Sequence, residues 1–102
     1  KIIVVEGMAA TYSEVHDMFD IKIYIDLDNK TRRKRFLDRA KSRNQDHQNA
    51  LKHWDYVCVA GKKYVIPAKD KCDIIANGAC SLEYFTKLLE YINLITNNFC
   101  EV

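Results

Sequence analysis

The sequence predicts an α/β fold built on part of a parallel sheet with flanking helices. Three short apolar segments rich in β-branched residues, at residues 2–7, 21–26 and 72–76, have the composition of strands. Longer segments between and after them place apolar residues three and four positions apart, which is the periodicity of a helix. Strands that alternate with helices are typical of a parallel sheet with right-handed crossovers. Three strands make only a partial sheet, so we expect the remaining strands to come from outside this chain.

The first predicted strand ends in a candidate site residue. Residues 2–5 are four consecutive β-branched residues, a pattern typical of a strand that is buried on both faces. Glu6 and Gly7 follow at once. Ligands of open α/β sheets bind beyond the carboxyl ends of the strands, so Glu6 is placed where a site is expected. The alternative is a solvated acid at the end of a strand.

Four helices are expected in the rest of the chain. They are a short helix opened by Thr11 or Ser13, a helix over residues 30–41 with Asn29 as N-cap, a helix over residues 45–64 that Pro67 closes, and a helix from Ser81 onward. The last helix carries an apolar stripe that we expect to be buried, formed by Phe85, Leu88, Leu89, Ile92 and Ile95.

Composition places the chain among ordinary globular proteins. Of its 102 residues, 48% are hydrophobic and 29% charged, and the net charge is +2. No signal peptide opens the sequence, and no apolar run approaches the roughly 18 residues that a membrane span requires. The four cysteines lack C-x-x-C spacing, which argues against a zinc site and favours free cysteines in a reducing cytoplasm.

Basic residues are concentrated in the second predicted helix. Arg32, Arg35, Arg39 and Arg43 recur at steps of three and four, so they line one helical face. Guanidinium groups match phosphate oxygens bidentately, and this face therefore suits a polyphosphate. A solvated surface face and a nucleic-acid contact are the alternatives. The net charge near neutral and the neighbouring acids argue against nucleic acid.

Several segments in order resemble one family. Val5-Glu6-Gly7 is followed by Tyr12-Ser13, by residues 17–26 (DMFDIKIYID), by the arginine-rich helix and by residues 66–75 (IPAKDKCDII). This succession resembles the central stretch of the uridine kinase family of P-loop nucleoside kinases. The resemblance covers nearly the whole chain and corresponds to the C-terminal half of the family. The phosphate-binding sequence G-x-x-x-x-G-K-[ST] does not occur in these residues.

The resemblance implies an ATP-dependent kinase that phosphorylates a nucleoside 5′-hydroxyl. Residues 1–102 would then form the C-terminal part of one P-loop kinase domain, with residues 30–46 as a helical lid and with the phosphate loop outside the chain. The resemblance assigns Glu6 to Mg²⁺, Arg35 and Arg39 to catalysis, Arg32, Arg39 and Arg43 to ATP, and Tyr12 and His53 to the substrate. It further implies a cytoplasmic enzyme, a possible homo-oligomer without membrane contact, and a fragment that is inactive alone.

The lid departs from the family pattern at several positions. Phe36 stands where the family usually has the second arginine of a pair, and Ala40 where it has aspartate. Residues 43–46, Arg-Asn-Gln-Asp, replace an R-G-R-[DS] pattern. Two alternatives therefore stay open. One is another small-molecule P-loop kinase, of the pantothenate or nicotinamide riboside type. The other is a kinase-like binding module without catalysis.

Overall fold

The computed structural model describes the backbone of residues 3–100 and the side chains of residues 3–95. Its elements in order are a 3₁₀ turn at Met8–Thr11, α1 at Ser13–His16, β1 at Ile23–Asp26, α2 at Asn29–Ser42, α3 at His47–Ala60, a π-helical segment at Gly61–Val65, a 3₁₀ segment at Ile66–Lys71, β2 at Ile74–Asn77, and α4 at Leu82–Cys100. Strands thus alternate with helices, and the predicted α/β class is confirmed.

β1 and β2 form a two-stranded parallel sheet. Ile23 pairs with Ile74 at one end of the register and Asp26 with Asn77 at the other. Just before the strands, the backbone N–H of Lys22 donates to the carboxylate of Asp73 at 2.8 Å, and the N–H of Asp73 donates to the carbonyl of Lys22 at 2.8 Å. This reciprocal pair fixes the register, and it brings the carboxyl ends of the two strands to the same edge of the sheet.

The prediction of a first strand over residues 2–7 is wrong for the residues that the structure describes. Residues 3–6 are irregular, and the side chains of Ile3 and Val4 are 77% and 80% exposed. A strand requires a hydrogen-bonded neighbour. In the described part of the chain β1 and β2 pair only with each other, so the apolar residues 3–5 have no neighbour to pair with. Ile2 lies outside the described residues.

The N-caps of α2 and α3 are aspartates. The Asp28 carboxylate accepts a hydrogen bond from the backbone N–H of Thr31 at 2.9 Å, so α2 begins one residue earlier than predicted and Asp28, not Asn29, is its N-cap. Asp46 caps α3 in the same way, through the N–H of Asn49 at 3.2 Å. Both aspartates come directly before the helix they cap, which fixes where α2 and α3 start.

The helical backbone continues beyond α3 farther than predicted. The π-helical turn at Gly61–Val65 leads directly into the 3₁₀ segment at Ile66–Lys71. Pro67 occupies the first turn of that segment, where its missing N–H is not needed. The expectation that Pro67 closes the helical stretch is therefore wrong, because the chain changes helix type there without leaving helical geometry.

The core of the described chain is small. The buried apolar residues are Ala40, Ala50, Trp54, Ala68 and Ala76. The radius of gyration is 16.1 Å, whereas a compact domain of this length has about 13 Å. No helix in the described residues is long and apolar enough to cross a membrane. Much apolar surface that the sequence assigns to a core therefore faces outward.

The apolar stripe of α4 is only partly buried. Phe85, Leu88 and Ile92 are half-buried, which agrees in part with the predicted buried stripe. Leu89 and Ile95 are 61% and 47% exposed, so the prediction that they are buried is wrong. The reason is that α4 makes no extensive contact with another helix or strand of the described residues.

We expect Asp28→Ala to lower the melting temperature of the protein by a few degrees at pH 7, because α2 loses its cap. Hydrogen bonds from Thr31 hold the pKa of Asp28 below its usual 3.8. The cap therefore stabilises fully above pH 3.8, and its contribution is lost as the pH falls through the lower folded-state pKa. The melting temperatures of wild type and variant should converge in acid.

Asp38→Ala is the matched control. It removes a carboxylate from the same helix that forms only an exposed ion pair with Lys34, at 2.8 Å. Circular dichroism melting curves at several pH values compare the two variants. Equal losses of melting temperature at pH 7 would show that Asp28 contributes only as an exposed charge.

Candidate functional site

A concavity lies at the carboxyl ends of β1 and β2. Its volume is about 350 Å³, and it is lined by Asp26, Leu27, Asp28, Ile75, Ala76, Asn77 and Ala79. This is the edge of a parallel sheet at which ligands of α/β proteins bind. The helix α2 starts at the same place, since Asp28 both lines the concavity and caps α2. The concavity and the arginine-rich helix are therefore neighbours.

Asp26 is held in place by a lysine from a distant segment. The Lys69 ammonium donates to the Asp26 carboxylate at 2.9 Å and lies 5.8 Å from the centre of the Tyr24 ring. This hydrogen bond raises the pKa of Lys69 above its usual 10.5. The family resemblance includes Lys69 within residues 66–75 but gives it no role. Two features of the sequence could have indicated this ion pair, namely the carboxylate of Asp26 at the end of a strand and the position of Lys69 two residues after Pro67.

The turn after β2 is packed tightly against the end of β1. The backbone N–H of Gly78 donates to the carbonyl of Asp26 at 2.7 Å. A Cβ atom on Gly78 would lie 3.1 Å from that same carbonyl oxygen and 3.1 Å from Cγ2 of Ile25. Glycine is needed here because the two backbones approach too closely for a side chain.

The four arginines of the predicted phosphate face have different environments. The Arg32 guanidinium lies 5.6 Å from the centre of the Trp54 ring, and Nη1 of Arg35 donates to the carbonyl of Gly78 at 3.1 Å. Arg39 and Arg43 are exposed, and their side chains have no hydrogen-bond or ion-pair partner within the described residues. Two of the four thus hold the fold together, and two are available to a ligand.

Aromatic side chains join α2 to α3. The ring of Phe36 lies 5.1 Å from that of His53 and 5.4 Å from that of Trp54, measured between ring centres. Phe36 and His53 meet edge to face, a favourable arrangement for aromatic rings. The side chain that replaces an arginine in the family pattern therefore packs between the helices. His53, which was predicted to contact the substrate, is the partner of Phe36 in this contact between the helices.

Tyr12, the other predicted substrate residue, belongs to a second concavity of about 230 Å³. Its ring meets that of Tyr64 at 5.5 Å, and the buried His16 lines the same concavity. Lys63 and Lys71 also line it. The ring contacts of Tyr12 and His53 involve different partners, so the described structure does not bring these two predicted substrate residues together.

Glu6 is exposed, and no hydrogen bond or ion pair involves its side chain among the described residues. Those residues also contain no group of three or more His, Cys, Asp or Glu side chains that could hold a metal ion. Mg²⁺ in phosphotransferases is commonly bound by one or two carboxylates together with substrate phosphates and waters. Glu6 fits such a site as a single carboxylate.

Three of the cysteines are free thiols, Cys58, Cys72 and Cys80. The Cys72 thiol donates to the carbonyl of Ala68 at 3.3 Å. Burial raises the pKa of Cys72, so its thiol stays protonated at neutral pH. The side chain of the fourth cysteine, Cys100, lies outside the described residues.

The fold and the site define an α/β protein whose arginine-bearing helix starts at the carboxyl edge of a parallel sheet. Comparison with known proteins agrees with this class. A sequence profile of the Phosphoribulokinase / Uridine kinase family matches residues 1–81, and the chain belongs to that family. It is 33% identical over 100 residues to a protein named uridine-cytidine kinase A from Dictyostelium discoideum. The match covers 95% of this chain and 19% of that relative, so the chain spans about a fifth of the relative's length.

We expect Gly78→Ala to lower the free energy of unfolding by about 1 kcal/mol, because the added methyl group must displace the Asp26 carbonyl or the Ile25 side chain. Gly61→Ala is the control, since a Cβ atom there meets only Nη2 of Arg32, at 4.0 Å. In its helical backbone the alanine should be neutral or slightly stabilising. Urea unfolding measures both variants. Equal stability of the Gly78 variant and wild type would contradict the close packing of this turn.

Proposed function

We propose that the complete protein to which this sequence belongs is an ATP-dependent kinase that transfers the γ-phosphoryl group to the 5′-hydroxyl of a nucleoside. Membership of the Phosphoribulokinase / Uridine kinase family supports a phosphotransferase. The name of the Dictyostelium relative supports a pyrimidine nucleoside as substrate. The observation that carries the proposal is the position of α2, which starts beside the carboxyl-edge concavity. α2 carries Arg39 and is followed by its C-cap residue Arg43, and neither side chain has a partner in the described chain.

Arg39 and Arg43 are the residues proposed to bind the phosphates of ATP. Each guanidinium can donate two parallel hydrogen bonds to phosphate oxygens. Phosphoryl transfer depends chiefly on positioning and on stabilising the charge that develops on the transferred group. Arginines with no partner in the described chain can approach this charge without first breaking a contact of the fold.

The remaining parts of the site are proposed from the family pattern. Glu6 would be the carboxylate on the magnesium side, and Mg²⁺, when bound, neutralises the charge of the β- and γ-phosphates. Tyr12 and His53 are proposed on the substrate side. A phosphate-binding G-x-x-x-x-G-K-[ST] sequence does not occur in these 102 residues, and we propose that another part of the complete protein supplies it with the general base.

One observation favours a second candidate, a kinase-like binding module. Phe36 occupies the position of a family arginine, and its ring is packed against His53 and Trp54. The lid therefore has one guanidinium fewer to offer to phosphates. A module of this kind would bind a nucleotide or nucleoside without transferring phosphate.

Phosphoryl transfer by the complete protein tests the two candidates. Radiolabelled ATP is incubated with uridine, cytidine, adenosine, pantothenate and nicotinamide riboside, and labelled products are separated. We expect label in a pyrimidine nucleoside 5′-monophosphate. Label in a pantothenate or nicotinamide riboside product would change the substrate class. Nucleotide binding without any labelled product would favour the binding module.

We expect Arg39→Lys to reduce kcat by about tenfold to hundredfold, because lysine keeps the charge but loses the planar fork. Arg33→Lys is the matched control, since Arg33 is also exposed on α2 and lies outside the face that carries Arg32, Arg35 and Arg39. Steady-state kinetics with saturating nucleoside compare the variants. Full activity of the Arg39 variant would remove Arg39 from the phosphate site.

A further inference from the structure

We propose that Arg35 is a positioning residue that fastens α2 to the turn after β2 and so determines where Arg39 stands. Its effect on catalysis rests on the proposed kinase function, whereas the contact itself does not. The family resemblance assigns Arg35 to the phosphates directly. The structure places its guanidinium on a backbone carbonyl of the protein.

The peptide groups of Gly78 are bound from two sides. The Gly78 N–H donates to the carbonyl of Asp26 at 2.7 Å, which ties the turn to the end of β1. The Gly78 carbonyl accepts from Nη1 of Arg35 at 3.1 Å, which ties the same turn to α2. A larger residue would not fit at this position without displacing its neighbours, because its Cβ atom would lie 3.1 Å from the Asp26 carbonyl oxygen and 3.1 Å from Cγ2 of Ile25. Arg35 is thus anchored to a fixed point of the sheet.

This anchor adds an attachment to the sheet on a helix that already packs against α3 through the ring of Phe36. α2 follows β1 after Leu27 and Asp28, and this short connection can act as a pivot. Arg35 lies seven residues beyond Asp28, about two helical turns or 10 Å along the axis. A second attachment at that distance fixes the direction of the helix, because a rigid rod held at two points cannot swing. Arg39 follows one turn later on the same face and takes its position from this direction.

The effect of replacing Arg35 by lysine distinguishes two roles for this residue. A clamp on phosphate needs the planar fork of arginine, and lysine cannot replace it. A single hydrogen bond to a carbonyl needs one N–H donor on a long side chain, which lysine also provides. Arg35→Lys should therefore retain function if Arg35 positions α2, and Arg35→Met, which keeps the apolar length but not the donor, should not.

The experiment combines hydrogen exchange with kinetics in the complete protein. We expect Arg35→Met to accelerate amide exchange in a peptide covering residues 77–82, with no change in a peptide from α3, and to lower kcat by about tenfold to hundredfold through misplacement of Arg39. Arg35→Lys should restore both the slow exchange and most of kcat. Arg39→Met should lower kcat while leaving exchange at residues 77–82 as in wild type.

Each outcome decides the proposal. Unchanged exchange at residues 77–82 in Arg35→Met would overturn the anchor. Slow exchange with low kcat in Arg35→Lys would overturn the positioning role, because it would show that the fork itself contacts phosphate. Absence of phosphoryl transfer by the wild-type protein would defeat the kinase function, and the exchange rates of the Arg35 variants would still confirm or refute the anchor. Melting temperatures of all variants identify any that fail to fold.

Discussion

The parallel pairing of β1 with β2 places two strand ends, Asp26 and Asn77, side by side. The reciprocal hydrogen bonds between Lys22 and Asp73 set the register of this pair. A shift of one residue would turn every side chain of one strand to the opposite face. The concavity, the turn at Gly78 and the start of α2 all depend on this alignment. The strand register therefore determines where the site forms, and side chains from other elements complete it.

Residue composition predicted β1 and β2 correctly but wrongly predicted a strand at residues 3–6. The two cases differ in whether a neighbouring strand is present. β-branched residues favour an extended backbone, but a strand exists only where a neighbour satisfies its hydrogen bonds. Each residue of β1 pairs with a residue of β2 that lies 51 positions later in the sequence, from Ile23 with Ile74 to Asp26 with Asn77. Local composition cannot predict which strands pair over this distance. The same limit applies to α4, where periodicity predicted an apolar face correctly but could not say what covers Leu89 or Ile95.

The arginine face shows how far spacing predicts a site. Steps of three and four placed Arg32, Arg35 and Arg39 on one side of α2, and the helix exists as expected. Spacing could not distinguish an arginine stacked on Trp54 or bound to Gly78 from one without a partner, because those contacts come from residues 22 and 43 positions away. The ion pair of Lys69 with Asp26 escaped prediction for the same reason. Long-range contacts, not local pattern, divide the basic residues into structural and available groups.

In the proposed kinase, the phosphates of the nucleotide bind against α2. Hydrogen exchange of the complete protein with ATP and with adenosine tests it most directly, because the two ligands share the base and sugar and differ in the phosphates. ATP should slow amide exchange in peptides covering residues 29–43, and adenosine at saturating concentration should not. Equal exchange of these peptides with ATP, with adenosine and without ligand would contradict the claim.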